Sequence, residues 1–145
     1  MSASNIERFD EIAGEVFAKL YSYFPVPCLL KAGDYVATPS VANEHLGCDV
    51  PSEEAEFFFA CIRWLESAGY ITTKAENELY VADVLLTSKG LEVLRAVPAS
   101  LQGKASIGER LNEVATKGGK ELARSLVAEA LGLGTRLFSL HIGLN

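Results

Sequence analysis

Positive charge is the first thing this 145-residue chain is short of: thirteen Lys and Arg stand against nineteen Asp and Glu, for a formal net charge of -6. The balance favours solubility and opposes the phosphate neutralisation that supplies non-specific affinity for nucleic acid. Cysteine is scarce too. Cys28, Cys48 and Cys61 are an odd number without a Cys-x-x-Cys pair, which argues against a disulfide framework or a zinc knuckle and for small reduced hydrophobes. There are two histidines, His45 and His141. His45 and Cys48 are spaced as two metal ligands could be, but a structural zinc site normally takes four.

The signatures of catalysis are missing as well. No glycine-rich loop leads into Lys-Ser or Lys-Thr, and nothing identifiable orients a histidine beside a cysteine or builds an oxyanion hole. Glu53-Glu54 is explained more simply as charge at a helix start than as an acid/base couple. We therefore expect no catalytic residues, no cofactor and no metal, and a protein that is not an enzyme. The opening Met-Ser-Ala-Ser-Asn-Ile-Glu-Arg-Phe-Asp lacks a basic segment followed by an apolar run, so a cytoplasmic protein is expected.

What the chain does have is periodicity. Ser4-Asn5-Ile6-Glu7 carries the Ser-x-x-Glu pattern of a helix start. Ile6, Phe9, Ala13, Val16, Phe17, Leu20 and Phe24 then recur at three- and four-residue steps, predicting one long amphipathic helix stopped by Pro25 and Pro27. Cys28 to Val36 suits a connecting strand or extended loop. Thr38 as cap, Pro39 in the first helical position and Gly47 past the end predict a short helix over Ser40 to Leu46. Ser52 opens a further helix with Glu53, Glu54 and Glu56 in its first turn and Gly69 beyond its last. Its interior, Phe57 to Leu65, is apolar on more than one face and is expected at the centre of the core. Tyr70 to Thr73 and Leu79 to Leu86, separated by a polar stretch, read as a β-hairpin. Thr87 caps another helix with Leu91, Leu94 and Val97 inward, ended by Pro98.

A short helix, a turn, a helix ending Leu65-Glu66-Ser67-Ala68-Gly69-Tyr70-Ile71, a hairpin, and then Leu86-Thr87-Ser88-Lys89-Gly90-Leu91 resembles the winged helix-turn-helix superfamily, in particular its MarR-like and PadR-like bacterial members. The resemblance covers about half of the chain, with its hallmarks in Gly-Tyr-Ile and Leu-Thr-x-x-Gly. It implies a mainly α fold with a small β-hairpin wing. It also implies that the helix from Glu53 to Ala68 would enter the major groove of DNA and the wing would follow the backbone. The residues disagree with that role. Glu53, Glu54 and Glu56 repel phosphate, Arg63 is the only cation of the helix, and Lys74 at the wing is opposed by Glu76 and Glu78. A similar Leu-Thr-x-x-Gly segment closes the winged-helix dimerisation domain of small-molecule O-methyltransferases, where the fold pairs subunits and reads no DNA.

The last third is the only part with a net positive charge. After a small, polar stretch from Leu101 to Ile107, expected as a hinge, an apolar stripe runs through Ile107, Leu111, Val114 and Ala115, breaks at Gly118-Gly119 and resumes at Leu122, Leu126, Val127, Ala130 and Leu131. Arg110, Lys117, Lys120 and Arg124 are expected on the polar side. These are two amphipathic helices or one kinked helix. From Ser125 onward the chain is strongly apolar, yet Glu129, Arg136 and three glycines oppose a membrane span, and association with a membrane surface is disfavoured.

The expected architecture is thus a winged-helix domain over residues 1–98 and a C-terminal helical appendage over 99–145 for dimerisation or partner docking. Glu53, Glu54, Glu56, Arg63 and Lys74 are the candidate partner or DNA surface. Leu111, Val114, Leu122, Leu126, Leu131, Leu137 and Phe138 are the candidate dimer or partner stripe, with a homodimer held by the tail and the first helix. The expected function is a non-catalytic interaction or dimerisation module. Its competitor is a DNA-binding regulator in which the tail's cations fold back beside the acidic helix.

Overall fold

Ser4 caps the first helix, its Oγ accepting from the Glu7 amide at 3.2 Å, and helix α1 runs Asn5–Tyr23. The computed structural model describes residues 4–97 and 105–143, with side chains as far as Leu137. Ala13, Val16, Phe17 and Leu20 are buried, as the stripe predicted. Ile6 is not: at 70% exposure it stands outside the core, which α1 enters only beyond its first turn.

The expected short helix over Ser40 to Leu46 does not form. Strands β2 (Ser40–Asn43) and β3 (Cys48–Pro51) make an antiparallel hairpin instead, with Val41 opposite Val50 and Asn43 opposite Cys48. Local chemistry explains the difference. Asn43 Oδ1 accepts from the Leu46 amide at 3.1 Å and Gly47, at φ +68°, turns the chain back. A helix of two turns has too little cooperativity to compete with that turn and the β-branched pair. Thr38 consequently caps nothing. Its amide donates to Glu54 and its carbonyl accepts from Ser52, which fastens the hairpin's base to the start of the next helix. Helix–turn–helix geometry is therefore absent between residues 38 and 68.

Helix α2, Glu53–Ser67, is capped by Ser52 as expected and buries Ala55, Phe58, Phe59, Ile62 and Leu65. Strand β1 (Cys28–Lys31) flanks β6 (Tyr80–Leu86) on one side, with β4 (Ile71–Thr72) and β5 (Ala75–Glu76) on the other, all antiparallel. The β1–β6 register slips between Cys28 and Leu30, opposite an extra β6 residue, Asp83, at φ +54°. This bulge keeps both Val81 and Val84 on the buried face although they are three residues apart.

Two strings distant in sequence meet at the entry to α3 (Ser88–Arg95). Thr87 Oγ1 accepts from the Gly90 amide and donates to the Gly69 carbonyl, and the Thr87 amide donates to the Tyr70 carbonyl. Lys89 Nζ donates to the Ala68 carbonyl at 2.9 Å and lies 4.5 Å from the Tyr70 ring centroid. Leu94 is buried and Leu91 half-buried, but Val97, expected inward, is exposed beyond the helix end. Pro98, Leu101 and the remainder of the expected hinge through Lys104 lie outside the described residues.

The tail forms two helices, α4 (Ile107–Lys117) and α5 (Lys120–Gly143), broken where Gly118 and Gly119 both take positive φ. Ser106, at the end of the segment the sequence suggested as hinge, closes a full capping box with Glu109. Both helices pack on α1 and α3. Ile107, Leu111, Leu126, Val127 and Ala130 are buried in the same apolar cluster as Val16, Phe17 and Leu20, so the tail completes one core with the rest. Small residues permit the approach. A Cβ on Gly108 would stand 2.6 Å from the Tyr21 ring, and one on Gly134 would strike Tyr70, whose hydroxyl donates to the Leu131 carbonyl at 3.2 Å. Among the described residues no helix is long and apolar enough to cross a membrane.

Gly90 tests the junction between the two strings, because a Cβ there would collide with the Tyr70 carbonyl, which is backbone and cannot rotate away. Gly90→Ala is expected to lower stability by about 1–3 kcal/mol in urea denaturation, the usual range for overpacking. Gly33→Ala, where the nearest atom is 3.7 Å away, is expected to stay near the wild type.

Candidate functional site

An α-helix with aromatic and aliphatic residues on more than one face cannot bury them all against one core. On α2 the surplus emerges as an outward seam: Glu53, Phe57, Ala60, Trp64 and Ser67 follow one another at alternating four- and three-residue steps. Ala60 is exposed, Phe57 half-buried and Trp64 49% exposed. Alongside lie Ile6 and Phe9 of α1 and Leu131 of α5, and together they line a shallow groove of about 450 Å³. Trp64, expected at the centre of the core, is in fact the largest side chain of this surface.

Its ring is nonetheless held firmly. Phe9 meets it edge-on, with centroids 5.3 Å apart, and Tyr70 stacks against it at 6.5 Å and 21°. Phe57 is covered on one side by the Arg8 guanidinium, 4.1 Å from its centroid. The face therefore presents apolar area whose rotamers are already fixed, which lowers the ordering cost of binding.

The residues singled out from the sequence separate into two groups. Glu53 and Glu56 are exposed beside the seam, and Glu54 accepts from the Thr38 amide at 2.7 Å. Arg63, side chain 60% exposed, pairs with Glu76 of β5 at 2.9 Å, and Lys74 is exposed where the chain passes from β4 to β5. Most of the candidate dimer stripe packs on the core, although Leu131 also borders the groove beside Trp64. Leu111 and Leu126 are buried, while Val114, Leu122, Leu131 and Leu137 are partly buried against the same core; the Phe138 side chain lies outside the described residues. Arg124, expected on a polar face, bridges to Glu7 at 3.0 Å and to Glu11, tying α5 to α1. Arg110 pairs with Glu113. Sequence reasoning missed the α2 seam because Phe57 and Trp64 are indistinguishable by type from their buried neighbours. The four–three spacing, with Glu53 and Ser67 at its ends, was the available signal.

His45 lies in the β2–β3 turn and Cys48 just after it, both exposed. Among the described residues no three His, Cys, Asp or Glu side chains gather as a metal site would need. Burial pushes the Cys61 thiol up to about 11, Arg8 and a backbone contact only partly offsetting it, so it is protonated at neutral pH and not nucleophilic. A second cleft, about 460 Å³, lies between α1 and the α4–α5 turn, with Glu11, Glu15 and Tyr35 at its rim and Leu111 and Ala123 on its wall. Burial first, and the like charge of Glu15 second, raise the Tyr35 hydroxyl, which stays protonated. No family model, curated protein or solved structure matches this chain.

The Glu15 carboxyl is itself raised, first by desolvation and then by Glu11, against the attraction of Lys120. A carboxyl with a raised folded pKa binds its proton more tightly folded than unfolded, so its ionisation weakens the fold as pH rises through that value. Because Glu15 is exposed and solvent screens it, Glu15→Gln is expected to raise Tm only slightly at pH 7, with the gain vanishing near pH ~3, where the wild-type group is protonated in both states. Thermal melts at the two pH values check this.

Proposed function

We propose that this chain is a non-catalytic, cytoplasmic protein on a winged-helix-like scaffold, with the β2–β3 hairpin standing where the motif's first helix would be, and that it acts as a protein–protein interaction module with the partner seated on the outward face of α2. The observation that carries this reading is Trp64, half exposed yet clamped between Phe9 and Tyr70, within the outward seam of α2. Rigid, partly exposed aromatics in an apolar patch are the usual anchors of protein interfaces.

The competing reading, a DNA-binding regulator of MarR-like or PadR-like type, draws on the joining of Gly69-Tyr70-Ile71 to Leu86-Thr87-Ser88-Lys89-Gly90 beneath a β-hairpin. Its electrostatic requirement is poorly met. Of the cations that would have to compensate for Glu53 and Glu56, Arg63 pairs with Glu76, Arg110 with Glu113, and Arg124 with Glu7 and Glu11, which leaves the exposed Lys74, Lys117 and Lys120.

Two measurements separate the readings. Labelled duplex DNA titrated at low and at physiological salt should show no binding; affinity that falls steeply with salt and is lost in Arg63→Ala with Lys74→Ala would replace our reading with the regulator. A photo-crosslinking phenylalanine derivative in place of Trp64 should yield protein adducts in cells, whereas one in place of Glu92, exposed on α3, should not. Equal adduct yields from both positions, or none from the first, would refute a docking face on α2.

A further inference from the structure

The seam on α2 is self-complementary. We propose that its occupant is a second copy of this chain, the two α2 helices packing antiparallel about a two-fold axis at Ala60. The inference rests on the docking reading above and names the partner.

Antiparallel pairing about Ala60 places residues opposite one another when their numbers sum to roughly 120. Ala60 then faces its own copy, and its small side chain lets the two backbones come close at the crossing. Phe57 falls beside Trp64 of the second copy, one helical turn to either side of the axis, so each aromatic finds an aromatic. Glu53 falls opposite Ser67 and Glu56 beside Arg63. The acidic first turn of one helix thus meets the cation near the other's C-terminal end, and the two helix dipoles run in opposed directions. A parallel arrangement would instead put Glu53 and Glu56 against their own copies.

The partners needed for these contacts are available. Arg63 uses Nε and Nη2 on Glu76, leaving Nη1 pointing away from that bond, and Glu56 is exposed. Fifteen residues give α2 a length of roughly 22 Å. That is short for a stable interface, but Ile6 and Phe9 of α1 extend the apolar strip along one edge. The expected dimer is therefore a micromolar one, with a tight centre at Ala60 and Trp64.

Sedimentation of the full chain up to about 100 µM is expected to show a species of twice 15.6 kDa. Glu56→Arg and Arg63→Glu are each expected to weaken dimerisation at least tenfold, and an equimolar mixture of the two variants should recover it as a heterodimer, because every Glu–Arg pair is restored across the interface. Ala60→Cys in a Cys48→Ser background should form a covalent dimer under mild oxidation, while Glu92→Cys in the same background should not. Thermal melts of each variant exclude loss of fold. A chain monomeric throughout, or a dimer indifferent to all of these substitutions, would overturn the proposal. The adduct from position 64 keeps the two readings apart. An adduct carrying a different protein, with a monomeric chain, sinks self-pairing alone, and no adduct at all sinks the docking face with it.

Discussion

The burial of the tail on α1 is the contact on which the rest of this structure depends. Val127 sits where a Cβ on Gly14 would be only 3.3 Å away, Tyr21 covers Gly108, and Arg124 reaches across to Glu7 and Glu11 one turn apart. Each of these brings α4 or α5 within van der Waals reach of α1, and Leu111, Leu126 and Val127 lose their water together. At about 25 cal/mol per Å² of apolar surface, three such side chains are worth several kcal/mol, a large share of the stability of a domain this size. The ion pairs add orientation more than energy, since Glu7 and Arg124 remain partly solvated.

That contact also settles what is left over. With Leu111, Leu126, Val127 and Ala130 buried in the common core, an apolar strip that stays in water lies along α2, bordered by Leu131 of α5. The same packing fixes the surroundings of Trp64. Gly134 allows α5 to cross Tyr70, the Tyr70 hydroxyl donates to Leu131, and Tyr70 in turn supports the Trp64 ring. A surface on one helix is thereby held in place by the position of another, sixty residues further along the chain.

The β2–β3 hairpin shows how a local signal can be read in two ways. Thr38-Pro39 and Gly47 mark a start and a stop, and a helix is one structure that fits between them. The chain uses the same residues to close a hairpin, because Asn43 and Gly47 build a turn and Ser52 holds the base. Short elements have no cooperative reserve, so one side-chain hydrogen bond to the backbone can decide between them.

Much was legible without coordinates because it depends on neighbours in sequence. Ser4, Ser52 and Thr87 as caps, Gly69 after α2, the hairpin before Thr87 and the break at Gly118-Gly119 all follow from local backbone chemistry. The acidity of α2, with Glu53, Glu54 and Glu56 in its first turn, is equally plain in the sequence and is unfavourable for phosphate. Which apolar residues face inward could not be read in the same way. Leu126 and Trp64 are both large apolar residues on amphipathic helices, yet one is buried and the other half exposed. Hydrophobicity is non-directional: it requires burial without naming the partner, and only the crossing of α1 by the tail decided which surface was already covered.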